Sequence, residues 1–185
     1  MRIISGKFKG RRFNPPVDRS FTRPTMDVAK EGIFNILANM YDFEDVTVLD
    51  LFGGTGSISF EFLSRGCEDV TMVELNRNMV EYCTKIAELL KINLNIVKSD
   101  VIKFLNKTDK KFDIIFADPP YDYKMYYELI NNILDLKLLK ENGIFILEHD
   151  QRNDFSKDYQ TNETRIYGTN RFSFFPPQKI QKVNL

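Results

Sequence analysis

Val46-Thr47-Val48-Leu49-Asp50-Leu51-Phe52-Gly53-Gly54-Thr55-Gly56-Ser57 is the stretch that decides the fold of this 185-residue chain. An apolar run ends in an acid, passes through glycines 53, 54 and 56, and opens a helical period over Ser57–Ser64. Glycines at a strand-to-helix turn let the backbone approach a ligand closely, at the point where open α/β sheets bind ligands. A dinucleotide fingerprint needs a further glycine where Ser59 stands, so that pattern fails. A pyrophosphate at the helix start would also be repelled by Asp50, whereas a ligand bearing ammonium and sulfonium charges would be attracted. The expected ligand is therefore cationic.

Downstream, short apolar runs alternate with helical periods. Strands are expected at Val46–Leu51, Val70–Glu74, Leu94–Lys98, Phe112–Ala117 and residues 143–147. Helices are expected at Ser57–Ser64, Met79–Leu90, Val101–Leu105 and Tyr126–Leu134. This rhythm implies a parallel sheet with helices on both faces. Thr164–Tyr167, the Gly168-Thr169-Asn170 turn and Arg171–Phe175 read instead as an antiparallel hairpin at one edge. Upstream, Arg2–Ile4 and Arg11–Phe13 form a candidate hairpin, and Thr25 a candidate N-cap for a lead-in helix with Val28, Ile33, Phe34, Ile36, Leu37 and Met40 on one face. The expected division is a basic arm over residues 1–25 and an α/β domain over 26–185.

Acids close three successive strands. Asp50 precedes the glycines, Glu74 ends the second strand, and Asp100 follows the third. Glu74 is placed to accept from two ribose hydroxyls, and Asp100 from an adenine amine. Together with the glycine turn they outline an adenosyl ligand. The fourth strand ends in Asp118-Pro119-Pro120-Tyr121, the most specific signal in the chain. Proline restricts the residue before it, so both Asp118 and Pro119 are held out of the helical region. Such a stiff corner can present the Asp118 carboxylate and the Pro119 carbonyl as adjacent acceptors for an exocyclic amine, with Tyr121 stacking on the base.

Bulk properties narrow the classes. No apolar run approaches the roughly 18 residues that span a bilayer, and MRIISGKFKGRR lacks the apolar stretch of a secretory signal, so a cytoplasmic protein is expected. Cys67 and Cys83 read as reduced structural thiols, and the lone His149 as a strand-end residue; no metal site is expected. Formal net charge is zero, but residues 1–25 carry seven basic side chains against Asp18 alone, leaving 19 basic and 25 acidic elsewhere. A basic arm on an acidic body suits docking on phosphates along one edge.

RIISGKFKGRRF, TRPTMDVAKEGIFNIL, LDLFGGTGSISFEFLSRG, VELN, DPPY and YGTNRFSFF together resemble the RsmD family, the bacterial small-subunit ribosomal RNA guanine-N(2) methyltransferases. The resemblance implies a Rossmann-like class I methyltransferase fold: a mostly parallel seven-stranded sheet with a C-terminal antiparallel hairpin, a small N-terminal β-hairpin and a helix. It implies S-adenosyl-L-methionine as cofactor, held by Asp50, Phe52, Gly53, Gly54, Thr55, Gly56, Glu74, Leu75, Asp100 and Val101. Asp118, Pro119, Pro120 and Tyr121 would form the catalytic corner. Arg2, Lys7, Lys9, Arg11, Arg12, Arg23 and Thr25 would meet RNA. The implied reaction is methyl transfer to a guanine amine of 16S ribosomal RNA, within an assembled or assembling small subunit, by a monomer without metal. The implied mechanism uses Asp118 to orient the amine, without a covalent enzyme intermediate.

Two other functions share parts of this pattern. An adenine-amine methyltransferase would carry the same Asp50–Tyr121 set; the 64 residues after Tyr121, most of them used by the sheet, disfavour a sequence-specific DNA enzyme with its own recognition domain. A non-catalytic RNA-binding assembly factor would not need the acids and the DPPY corner intact.

Overall fold

A computed structural model describes residues 1–16, 24–120 and 122–177, the side chains of residues 24–26 apart. Its centre is a seven-stranded sheet of order β3-β2-β1-β4-β5-β7-β6. The strands are β1 Thr47–Leu51, β2 Asp69–Glu74, β3 Asn95–Lys98, β4 Phe112–Ala117, β5 Leu139–Asp150, β6 Glu163–Tyr167 and β7 Asn170–Phe175. β1 to β5 run parallel, and β7 pairs antiparallel with both β5 and β6. The sheet is mixed at the expected edge.

Sequence dictates the two covered faces. Val48, Ile114, Phe116, Ile144 and Ile146 point to one side, and Leu49, Leu51, Ile115, Phe145 and Leu147 to the other. The first side is covered by α1 (Pro24–Met40), α2 (Ser57–Ser64) and α3 (Arg77–Leu90), the second by α4 (Val101–Leu105) and α5 (Tyr126–Asp135). In α3, Met79, Cys83, Ile86, Ala87 and Leu90 recur at helical spacing and are buried. Asn76 caps its start by accepting from Asn78 and Met79. Phe34, Phe43 and Phe62 pack edge-on or tilted under α1, with the Arg65 guanidinium over Phe34. Fully burying each such ring stabilises the fold by about 1.5–3 kcal/mol.

Three expectations are corrected. α1 begins at Pro24, so Thr25 falls inside its first turn instead of capping it; proline suits the first helical position because its missing N–H is not needed there. β5 begins at Leu139, not residue 143, because Leu139 pairs with Phe112 before a polar stretch slips out of register. The N-terminal hairpin is reduced to a single bridge, Arg2 with Arg12, supported by Ile3 N–H to the Arg11 carbonyl and Gly10 N–H to the Ile3 carbonyl.

Candidate active site

All five parallel strands end on the same edge, and the order places β1 between β2 and β4, where the winding reverses. At this point the chain leaves β1 with Phe52 at φ 60°, a left-handed conformation that a bulky residue rarely adopts. Gly53 N–H then donates to the Val73 carbonyl at 3.0 Å, and Gly54 N–H to Glu74 Oε2 at 2.7 Å. The other Glu74 oxygen accepts from Asn76 N–H at 2.6 Å. Glu74 thus clamps the bend to β2, and each of its oxygens keeps a further lone pair that could accept from a ligand. Gly56 has φ 72°, and a Cβ there would lie 2.6 Å from Phe60. Its smallness serves the packing of α2, whereas a Cβ at Gly54 would meet nothing nearer than the Phe52 carbonyl oxygen, at an ordinary 3.7 Å.

Asp50 is held inside the domain, behind the bend. It is only 2% exposed, and its Oδ2 accepts from Ser59 Oγ at 2.5 Å and Ser59 N–H at 3.1 Å. Burial pushes its carboxyl up to about 7, opposed by the Ser59 bonds and reinforced by the charges of Asp118 and Glu74. Asp50 braces the first turn of α2. Val101 is likewise buried, packed with Leu105 in the second core. Asp100 caps α4 by accepting from Lys103 N–H at 3.0 Å, and Leu75 is 63% exposed beside Glu74.

The Asp-Pro-Pro corner follows β4, next to this bend. Ala117 is in register with Leu51, and Asp118 N–H reaches the Leu51 carbonyl at 3.4 Å. Asp118 is exposed and Pro119 buried. Surrounding protein nonetheless desolvates the Asp118 carboxyl, pushing it up to about 6. Tyr123 N–H closes the corner on the Pro120 carbonyl at 2.8 Å. Tyr121 lies outside the described residues, as do Arg23 and the Thr25 side chain.

Two residues that sequence reasoning missed complete the edge. Tyr123 stacks edge-on against Phe52 at 5.1 Å, and its buried hydroxyl has no hydrogen-bond partner among the described residues. Burial and the neighbouring Asp100 charge push that phenol up to about 12. A buried hydroxyl left unsatisfied beside Asp100 is a position for a ligand's polar group. Glu148, one residue beyond the Leu147–Ala117 pair, is pushed up to about 9 by burial and by the Asp118 charge. Among the described residues, neither Asp118 nor Glu148 has an ion-pair partner. Glu74, keeping a further lone pair on each oxygen, and the unsatisfied Tyr123 hydroxyl beside Asp100 offer polar partners to an adenosyl group at the glycine bend, so the residues fit S-adenosylmethionine.

A family model described as "Conserved hypothetical protein 95" matches residues 1–176. The chain is 32% identical over 154 residues to the ribosomal RNA small subunit methyltransferase D of Escherichia coli, covering 83% of this chain and 76% of that protein. The protein of the same name from Buchnera aphidicola is 31% identical over 158 residues, 85% of this chain and 79% of the relative. This chain belongs to the ribosomal RNA small subunit methyltransferase D family. A solved structure titled "Putative methyltransferase yhhF from Escherichia coli" superposes with TM-score 0.83 at 28% identity, over 96% of this chain and 99% of that one. The Rossmann-like methyltransferase architecture follows from this likeness and the strand order.

In this family member the basic arm is riveted to the domain. Ile3 and Phe8 are buried in the same cluster as α1 and α2. Glu61, fully buried on α2, accepts from Ile4 N–H at 2.9 Å, Ser5 N–H at 3.0 Å and Arg65 Nε at 2.9 Å, with Lys30 Nζ at 3.5 Å. Lys30 also donates to the Arg2 carbonyl at 2.6 Å and Ser57 Oγ at 3.1 Å; burial lowers its pKa, against the opposing pull of Glu61. At the other end of α2, Lys7 N–H satisfies the Ser64 carbonyl at 2.6 Å. Gly6 makes this approach possible: at φ 75°, a Cβ would sit 1.8 Å from the Ser64 oxygen. The hairpin therefore lies along α2, about 10 Å long, with Arg2 near the ligand edge and Lys7 at the far end. Arg2, Lys7, Lys9, Arg11 and Arg12 are all exposed, although Arg2 pairs with Asp27 at 2.8 Å.

Proposed function

We propose that this chain transfers a methyl group from S-adenosylmethionine to the exocyclic amine of one guanine in small-subunit ribosomal RNA. The observation that carries the reading is the bond of Asp118 N–H to the Leu51 carbonyl, which fixes the Asp-Pro-Pro corner against the glycine bend. The names of the relatives support ribosomal RNA as the substrate class.

Glu74 would hold the ribose of the cofactor, Asp100 and Tyr123 the adenine end, and the backbone at Gly53 and Gly54 the methionine end. S-adenosylmethionine supplies a methyl group activated by its sulfonium. Asp118 and the Pro119 carbonyl accept the two amine protons and turn the nitrogen lone pair out of the ring. Fixing that geometry beforehand removes the orientation cost of the attack. As the nitrogen gains a substituent it must lose a proton, and the Asp118 carboxyl can hold it because protein crowding has raised its affinity. Tyr121 would stack on the extruded base, offsetting part of the few kcal/mol that extrusion costs. Arg11, Arg12, Lys7 and Lys9 would follow the RNA backbone along α2, in a cytoplasmic enzyme acting as a monomer without metal.

The test uses purified protein, methyl-labelled cofactor and small subunits from cells lacking the protein. The expected product is labelled N(2)-methylguanosine. Label in adenine of naked duplex would overturn the reading.

A further inference from the structure

The methyl-accepting corner has a neighbour that the reaction described above leaves unused. β4 and β5 are in register at Ala117 and Leu147, so the next residues, Asp118 and Glu148, stand side by side. Adjacent strands lie about 4.8 Å apart. Residues at alternate positions share a face, and Ile114 and Phe116 on β4 and Ile144 and Ile146 on β5 all face the cluster under α1 and α2. Asp118 and Glu148 continue that face at the ligand edge. Asn170, at the start of β7, donates from Nδ2 to Glu148 Oε1 at 2.5 Å. Among the described residues this is the one side-chain hydrogen bond to the carboxyl group, so Oε2 is left for a ligand.

We propose that Glu148 selects the base: while Asp118 and Pro119 hold the exocyclic amine, Glu148 engages the ring N–H and carbonyl that adjoin the amine in guanine. The inference rests on the guanine-amine reading and deepens it. Guanine presents amine, ring N–H and carbonyl in a row, that is donor, donor, acceptor. Adenine presents its amine beside a ring nitrogen lone pair, then a C–H. Asn170 marks Oε1 as the accepting oxygen, which has a second lone pair for the ring N–H. Burial and the Asp118 charge keep the Glu148 proton on at neutral pH, so Oε2–H can donate to the guanine carbonyl. A site whose polar groups are matched by one base and stranded by another discriminates strongly, because the stranded groups lose their solvation without compensation.

The test compares wild type, Glu148→Gln and Glu148→Ala on small subunits assembled with guanine or 2-aminopurine at the methylated position. 2-Aminopurine keeps the amine but lacks both the ring N–H and the carbonyl. Wild type should prefer guanine by about tenfold to hundredfold in kcat/KM. Glu148→Gln, which retains one acceptor and one donor, should keep that preference within about threefold. Glu148→Ala should lose it, methylating both bases at one slow rate, with cofactor affinity unchanged. A Glu148→Ala enzyme that still prefers guanine would overturn the inference. The two readings fail separately: wild type that yields no N(2)-methylguanosine sinks the proposed function, whereas wild type that does, paired with an unaltered preference in Glu148→Ala, sinks the role of Glu148 alone.

Discussion

Glu61 and the Asp118–Glu148 pair lie on the same side of the sheet, and the chain treats them in opposite ways. Glu61 is fully enclosed and surrounded by donors: two backbone N–H groups, the Arg65 guanidinium and the Lys30 ammonium. Asp118 and Glu148 face each other with no cation paired to either among the described residues, and both carboxyls are pushed up. The first arrangement answers a question of assembly, since it fastens the basic hairpin to α2. The second leaves two crowded carboxyls without a cation at the edge where strands end, a cost to the fold of the kind that functional sites carry.

The largest expected effect is on the satisfied side. Glu61→Ala strands Lys30, Arg65 and the Ile4 and Ser5 N–H groups, and should cost about 3–5 kcal/mol in urea unfolding, with loss of amide protection at Ile4 and Ser5. A change under about 1 kcal/mol would erase the contrast. On the unsatisfied side, Asp118→Ala should lower kcat by about 10²–10³-fold while leaving stability equal or improved and cofactor affinity near wild type by calorimetry. Parallel loss of turnover and cofactor binding would refute the division of labour between the corner and the glycine bend.

Reversing charge at Arg11 and Arg12 tests what the riveted hairpin is for. Subunit affinity should fall, and the slope of log K against log salt should shrink by about two. Unaltered activity and slope would remove the hairpin from the docking surface. The smallest effect is a pH dependence of stability. Asp118 and Glu148 bind protons more tightly folded than unfolded, so their contribution is fully present below about pH 4 and is lost as pH rises through about 6 and then about 9. Wild type should lose stability across that window, and Glu148→Gln should lose less; identical slopes would show that Glu148 is not perturbed.

Much of the fold is legible because the central strands are short apolar runs bounded by turn residues. β4 and the helices α2 and α4 have the bounds that periodicity gives. β5 is longer than its apolar run because Leu139 joins the sheet across an irregular stretch, a pairing set by Phe112 and not by local pattern. In the site, Glu74, Asp100 and Asp118 announce themselves by closing strands. Glu148 carries the same signal, an acid near the carboxyl end of a strand, but His149 and Asp150 extend the run and hide it. Tyr123 gives no signal, because its approach to Asp100 depends on the turn closed at Pro120. The Lys30–Glu61 contact joins residues 31 apart in sequence and arises only once α1 packs on α2.

Nucleoside mass spectrometry of small-subunit ribosomal RNA, from cells lacking the protein and from the same cells carrying wild type or Asp118→Ala, addresses the corner's chemistry most directly. One N(2)-methylguanosine should vanish with the gene, return with wild type and stay missing with Asp118→Ala. An unchanged modification profile, or restoration by Asp118→Ala to the wild-type level, would contradict the assignment of the amine to that corner.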